Sequence, residues 1–359
     1  MSKNNSVNFW RVVFTFAVTI FHFSAMYPEM NTAYHSQIGW RIGVEFFFIV
    51  SGFLLAYKCE RSDISAWSYT KSRYFRLLPE YILMTVIMIG IRIFEDKMNL
   101  LDSLVFILNS FDEVLMLQTA SPNYVNINGA SWYISALVVA GFFIFWLYKN
   151  KRELYMNIIL PLSIISIYTF ISLNAGYAAG STGAYTPVFS LSYGLLRGFA
   201  DMSMGVLAYE MHKRFKKNEL TKAGSILFTI FEILGYCIPL AYTFFFDSTR
   251  LDFIFIPMFT LSVVISFSRT KKSIIYNNPV IDFLSKISYS MYLVHMPILR
   301  IMIRYYSEDI YGEKLLALFY VLLISCAVIS ERLCWLTVSY MKEHWKGIKG
   351  VFLKPKEEG

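Results

Sequence analysis

Long apolar stretches alternate with short charged segments along the chain of 359 residues. A transmembrane helix needs about 20 mostly apolar residues, and ten stretches approach that length. Another apolar stretch, 104–118, is interrupted by polar and acidic residues and is predicted to form a short surface or re-entrant helix. The predicted spans cover roughly 9–27, 39–57, 77–94, 131–148, 155–174, 188–210, 225–246, 251–268, 283–303 and 314–336. We therefore predict an all-α membrane protein that forms a single domain over residues 1–359.

Lysine and arginine are unevenly distributed between the segments that join these spans. They are frequent after the second, fourth, sixth and eighth spans and in the C-terminal tail, and scarce in the intervening segments. Cytoplasmic loops carry an excess of Lys and Arg, so both termini are expected in the cytoplasm. The first span is of transmembrane length and is followed by no small-residue cleavage site, which predicts a retained span rather than a signal peptide.

Composition supports a membrane protein and argues against several other classes. Hydrophobic residues make up 56% of the chain and the mean hydropathy is +0.48, too apolar for a soluble globular protein. The net charge of +8 is explained by the loop asymmetry, so we expect no nucleic-acid partner. The four cysteines form no CxxC or His/Cys cluster, and neither a metal site nor a disulfide framework is predicted.

Two polar residues inside the first span are the strongest functional signal. Arg11 and His22 are eleven residues apart, which places them on one stripe of a helix, roughly 16 Å from each other. Ionisable residues within a membrane span usually mark function. In the second span, Glu45 lies about six residues from the outer edge, at a depth similar to that of His22. A carboxylate beside a histidine orients the ring and raises its basicity, so His22 and Glu45 are the candidate catalytic pair. The alternative is that His22 is a core histidine bonded to a neighbouring backbone carbonyl.

The run Phe47-Phe48-Ile49-Val50-Ser51-Gly52 follows Glu45 in the second span. Gly52 lacks a side chain and would let another helix approach closely. We expect these residues to pack helices tightly and thereby to shape the site.

Arg73 and Arg76 share one helix face at the start of the third span. They are either ordinary positive-inside anchors or, with Arg11, a clamp for phosphate, which guanidinium groups bind well. Coenzyme A suits such a clamp, because its phosphates lie at one end and its thioester at the tip of a long arm that would reach His22.

Other intramembrane polar residues are weaker candidates for binding a polar substrate. Arg197 and Asp201 are four residues apart and are expected to pair with each other. The remaining candidates are Trp132, Tyr133, Tyr292 and His295. Trp132 is either an interface anchor or a stacking surface for a sugar ring, and His295 either completes a polar cavity or bonds locally.

Taken in order, these motifs resemble the acyltransferase-3 family of integral-membrane O-acyltransferases. The resembling residues are Arg11-x10-His22, Gly43 to Leu54, Arg73-x-x-Arg76 with Leu78-Pro79-Glu80-Tyr81, Ser131-Trp132, Leu196-Arg197-Gly198 and Ser288 to His295. The resemblance implies a ten-helix fold and transfer of an acyl group, usually acetyl, from cytoplasmic acyl-CoA to a hydroxyl, often on a surface carbohydrate. It also implies that Arg11, Arg73 and Arg76 serve the CoA end and that His22 is catalytic.

The chain departs from the family pattern after Trp132, where many members carry a glutamate and this sequence has none. It looks more like the branch that modifies exopolysaccharide or its lipid-linked units. We therefore expect a multi-pass O-acetyltransferase of the bacterial inner or plasma membrane, with acetyl-CoA as donor, a carbohydrate acceptor and membrane lipid as partners. His22 acts as general base or carries the acetyl group itself. A transporter or flippase of a polar metabolite or lipid-linked sugar is the alternative.

Overall fold

The computed structural model describes most of the chain, with gaps between helices. The described residues are 4–27, 42–121, 127–175, 187–188, 191–214, 221–246, 251–268, 276, 278–306 and 314–352. Parts of two predicted spans, 39–41 and 189–190, lie outside them.

Helices dominate the described residues. The α-helices are α1 (Asn5–Met26), α2 (Gly43–Arg61), α3 (Ala66–Glu95), α4 (Leu100–Asn109), α5 (Phe111–Val114), α6 (Trp132–Asn150), α7 (Arg152–Leu154), α8 (Leu160–Ala175), α9 (Tyr193–Arg214), α10 (Lys222–Phe245), α11 (Asp252–Ser268), α12 (Pro279–Tyr305) and α13 (Lys314–Phe352). A 3₁₀ turn covers Gln118–Ala120, and a π-helix, Tyr155–Ile159, joins α7 to α8. Strands β1 (Pro187–Val188) and β2 (Leu191–Ser192) pair antiparallel.

The all-α membrane fold predicted from the sequence is confirmed. Six described helical segments are long and apolar enough to cross a bilayer: α1, α3, α6, the run from α7 through α8, α10 and α13. Each of the ten predicted spans falls largely on a described helix, although the start of the sixth is strand and its helix begins at Tyr193. The stretch 104–118 forms parts of α4 and α5 and the residues that follow.

Helices α2 and α9 pack backbone against backbone because each has a glycine at the contact. A Cβ added at Gly52 would lie 2.0 Å from the carbonyl oxygen of Met202, and one at Gly205 would lie 2.0 Å from that of Ile49. Neither position has space for a side chain. This contact fixes α2, which carries Glu45 and Ser51, against the centre of the bundle.

The register between α1 and α2 is set by aromatic packing. The Phe14 and Phe46 rings stack with centroids 4.3 Å apart, and a Cβ at Gly43 would meet Val18. Phe46 is therefore level with Phe14, whereas His22 lies eight residues further along α1, about 12 Å away at 1.5 Å per residue.

Candidate functional site

Two histidines from distant parts of the chain meet inside the bundle. His22 on α1 is half-buried and His295 on α12 is fully buried. The Nδ1 atom of His22 lies 3.3 Å from Nε2 of His295, and the ring centroids are 5.0 Å apart. Of the two interpretations of His295, the structure shows the local hydrogen bond, to the Tyr292 carbonyl, and it adds the contact with His22.

Backbone carbonyls assign the protonated nitrogen of each ring. The Nδ1 atom of His22 lies 2.9 Å from the carbonyl oxygen of Val18, and that of His295 lies 2.6 Å from the carbonyl oxygen of Tyr292. Because a carbonyl oxygen only accepts, each neutral ring carries its proton on Nδ1. Nε2 of His295 then accepts from His22, and Nε2 of His22 keeps a lone pair to take a proton.

A line of aromatic and polar side chains leads from these histidines towards α3. The His295 and Tyr292 ring centroids are 5.7 Å apart, and those of Tyr292 and Tyr133 are 5.6 Å apart. Tyr133 hydrogen-bonds Ser51, which accepts from Nη2 of Arg73 at 3.1 Å. Ser51 therefore has a polar role in addition to the packing expected from its motif.

Three arginines lie at the far end of this line. Arg11 interacts electrostatically with Arg76 and Tyr133, and Arg76 interacts with Arg73. Arg73 donates from Nη1 to the Tyr69 hydroxyl at 2.7 Å, while its Nε is buried without a hydrogen-bond partner. Within the described residues, none of the three has a carboxylate partner. Their positive charge is therefore balanced by no carboxylate in the described part of the chain.

The expected contact between Glu45 and His22 is not formed. Glu45 Oε1 instead accepts a hydrogen bond from Nη2 of Arg197 in a buried ion pair, and Oε2 has no hydrogen-bond partner. Glu45 lies near Phe14 rather than near His22, because α2 begins at Gly43, beside Val18. The predicted match in depth is therefore wrong.

The expected ion pair between Arg197 and Asp201 is not formed, although the two charges interact electrostatically. Arg197 is taken by Glu45, and its guanidinium carbon lies 5.1 Å from the centre of the Trp132 ring. Asp201 accepts from the Tyr168 hydroxyl at 2.6 Å. Arg197 therefore pairs with a carboxylate on the neighbouring helix α2 and not with the one four residues along its own helix.

The aromatic motif residues of α2 and α6 lie between the Glu45–Arg197 ion pair and the line of side chains from Arg73 to His22. The ring centroid of Phe48 lies 5.9 Å from that of Trp132 and 4.6 Å from that of Tyr133. The ring centroids of Phe47 and Tyr133 are 6.1 Å apart. Trp132 thus faces the Arg197 ion pair, and Tyr133 faces the line from Arg73 to His22. Two consecutive residues of α6 serve different clusters.

Glu113 anchors the segment before α6 and was not recognised as a site residue from the sequence. Its carboxylate accepts from the Ile127 and Asn128 amides at 2.8 and 2.9 Å and from the Ser131 hydroxyl at 2.7 Å. Burial raises the pKa of Glu113 to about 7, although these hydrogen bonds oppose the rise. The only sequence signal was an acidic residue interrupting an apolar stretch.

Residues 127–131, the segment that Glu113 anchors, also hydrogen-bond to α12 close to His295. Tyr292 donates from its hydroxyl to the carbonyl oxygen of Ala130, and Asn128 donates to that of Leu293 at 3.4 Å. The position of α12, and with it of His295, therefore depends on residues 127–131.

A family model for an acyltransferase domain, that of the acyltransferase-3 family, matches residues 4–331. The chain belongs to this family. The match includes both histidines, the three arginines and the Glu45–Arg197 pair. Searches of curated proteins and of solved structures returned no match.

Family membership makes the protein a membrane acyltransferase. Sequence motifs had already selected Arg11, His22, Arg73 and Arg76. What they did not indicate is the contact between residues 273 positions apart that joins His22 to His295, or the ion pair that spans 152 positions between Glu45 and Arg197.

Proposed function

We propose that the protein transfers an acetyl group from cytoplasmic acetyl-CoA to a hydroxyl of a surface or lipid-linked carbohydrate, in a bacterial inner or plasma membrane. The observation that supports this most is the line of side chains between three arginines and the paired histidines. The arginines at one end of this line can bind phosphates, and the histidines at the other end can accept a proton.

The arginine end suits the anionic part of the donor. Guanidinium groups bind phosphate oxygens with paired, charge-assisted hydrogen bonds. In this proposal Arg11, Arg73 and Arg76 hold the CoA phosphates. The pantetheine arm then follows Ser51 and Tyr133 towards His22.

The histidine end suits acyl transfer to an alcohol. Nε2 of His22 removes the hydroxyl proton of the acceptor, and the oxygen attacks the thioester carbonyl carbon. The new C–O bond forms as the C–S bond breaks, and the CoA thiolate leaves and takes the proton from His22. The Val18 carbonyl and His295 hold the ring and stabilise the imidazolium while it exists.

A variant of this reaction has His22 itself accept the acetyl group before the alcohol does. Incubating the protein with acetyl-CoA alone and analysing it by mass spectrometry separates the two. Acetyl-His22 trapped in a single turnover supports the covalent route, and its absence supports direct transfer.

The decisive experiment measures donor use by purified protein in detergent or nanodiscs. Wild type is expected to hydrolyse or transfer acetyl from [14C]acetyl-CoA, and His22→Ala to lose this activity while keeping its melting temperature. Consumption of acetyl-CoA that is equal in both proteins would contradict the proposal. Mass spectrometry of surface glycans from cells with and without the active protein then identifies the acceptor.

Transport of a polar metabolite or lipid-linked sugar was the alternative, and its support came from the intramembrane charges of Arg197, Asp201 and Glu232. Arg197 and Asp201 have partners of their own, and Glu232 accepts from Ser266 and Ser6. These contacts give the charges structural roles. Vesicle uptake of substrate without CoA consumption would favour transport.

A further inference from the structure

A deep apolar groove runs between α3 and α6 and has no role in the proposed reaction. Its volume is about 570 Å³. Both helices are long and apolar enough to cross a membrane, so the groove opens towards lipid. Its walls consist of Trp67, Thr70, Lys71, Tyr74 and Phe75 from α3, Leu115 and Leu117, and Val138, Val139, Phe142 and Phe143 from α6.

Besides the Tyr74 hydroxyl, two polar side chains at adjacent positions of α3 interrupt the apolar lining. The Thr70 hydroxyl is buried and has no hydrogen-bond partner, which is costly for a polar group. Lys71 is exposed and has no ion-pair partner among the described residues. An unused donor and an unused cation thus lie at the same place in an otherwise apolar groove.

The polar groups and the apolar walls follow one another along α3. The Tyr69 and Phe145 rings stack at 4.4 Å, which fixes how α3 passes α6. Trp67, Thr70 and Lys71 lie near the start of α3. Leu115 and Leu117 follow Glu113, whose carbonyl oxygen accepts from Tyr81 further along α3. The α3 wall from residue 67 to 75 is about 12 Å long at 1.5 Å per residue, so one hydrocarbon chain can lie along it.

We propose that this groove binds one chain of an anionic glycerophospholipid. The lipid phosphate pairs with Lys71, and an ester or phosphate oxygen accepts from Thr70. The chain runs along Tyr74, Val139 and Phe142 to the Leu115–Leu117 end. Trp67 lies at the headgroup level, where aromatic residues are favoured.

Native mass spectrometry of the purified full chain tests this directly. Phosphatidylglycerol or phosphatidylcholine is added at equal ratios, and the bound lipid is counted per protein. Wild type is expected to retain phosphatidylglycerol more strongly than phosphatidylcholine. Lys71→Ala is expected to weaken retention of phosphatidylglycerol about fivefold, the effect of one lysine beside anionic lipid, and Thr70→Val to weaken it further when combined with Lys71→Ala.

The controls separate this groove from general attraction to the surface. Lys58→Ala removes another exposed lysine, on α2, and is expected to leave retention unchanged. Val139→Trp fills the groove without changing charge and is expected to reduce retention of both lipids. The proposal is overturned if Lys71→Ala retains as much phosphatidylglycerol as wild type, if Lys58→Ala has the same effect as Lys71→Ala, or if a folded Val139→Trp protein binds lipid normally.

Discussion

His22 Nδ1 lies 3.3 Å from Nε2 of His295, although the residues are 273 positions apart in the chain. Because His295 is itself held by the Tyr292 carbonyl, the contact fixes the orientation of a half-buried ring with a buried one. The pair joins polar residues of α1 and α12 into one hydrogen-bonded unit.

Replacing His295 tests whether it positions His22. His295→Ala removes the acceptor at Nε2 and is expected to lower kcat by part of the roughly 10²–10⁴-fold that a positioned general base contributes, with KM for acetyl-CoA unchanged. His295→Gln, which can place an amide oxygen near the same point, is expected to recover part of kcat. A loss that is equal in both variants and appears in KM instead would count against this role.

Arg76 is exposed, and no hydrogen bond ties it to the described protein, so its removal should not disturb packing. Arg76→Gln is expected to raise KM for acetyl-CoA about tenfold or more through loss of a charged hydrogen bond, and to leave kcat nearly constant. Arg92→Gln is the matched control, because Arg92 lies on the same helix beside Asp96. A fall in kcat at constant KM would show that the phosphate role is wrong.

Neutralising Glu45 is expected to lower the stability of the fold and not to change the reaction directly. Glu45→Gln leaves the buried Arg197 without its counter-charge, and an uncompensated buried charge costs about 3–5 kcal/mol. The melting temperature is expected to fall, and the Glu45→Gln/Arg197→Gln double variant to recover part of it, as a thermodynamic cycle would show. If Glu45→Gln shifted the pH–rate profile without lowering the melting temperature, a partnership with His22 would be supported instead.

The close contact of α2 with α9 predicts a large difference between two alanine substitutions. Gly205→Ala forces a methyl group against the Ile49 carbonyl and is expected to destabilise the fold by about 1–3 kcal/mol. Gly90→Ala, where no atom lies within 4 Å of the added Cβ, is expected to leave the melting temperature unchanged or slightly raised. Equal melting temperatures would contradict the packing.

Glu113 should make stability depend on pH. Its pKa is raised by burial to about 7 in the folded protein, so the folded state holds this proton more tightly than the unfolded state. Stability is therefore expected to fall as pH rises from about 4.5 to about 7 and to level off above. Glu113→Gln is expected to remove this contribution to the pH dependence of stability. If the melting temperatures of wild type and variant changed with pH in the same way across that range, the prediction would be wrong.

The sequence predicted the helical membrane fold because spans of apolar residues are a local property of the chain. It also selected Arg11 and His22, whose alignment follows from helix geometry alone. It placed Glu45 wrongly because depth within a span depends on where the next helix begins, and the start of α2 beside Val18 is set by packing. The partners of Arg197 and His22 depend on contacts across the bundle, which helical periodicity does not contain.

The backbone contact made by Gly52 and Gly205 limits where a substrate can travel. With carbonyls of one helix lying where side chains of the other would be, no channel for a flexible molecule exists at that seam. In the proposed reaction, the arm of the donor therefore passes on the side of α2 where the Ser51 hydroxyl accepts from Arg73, about 100° around the helix from Gly52. Two adjacent residues of α2 thus have different surroundings. Gly52 faces the closed contact with α9, and Ser51 faces the side chains between Arg73 and His22.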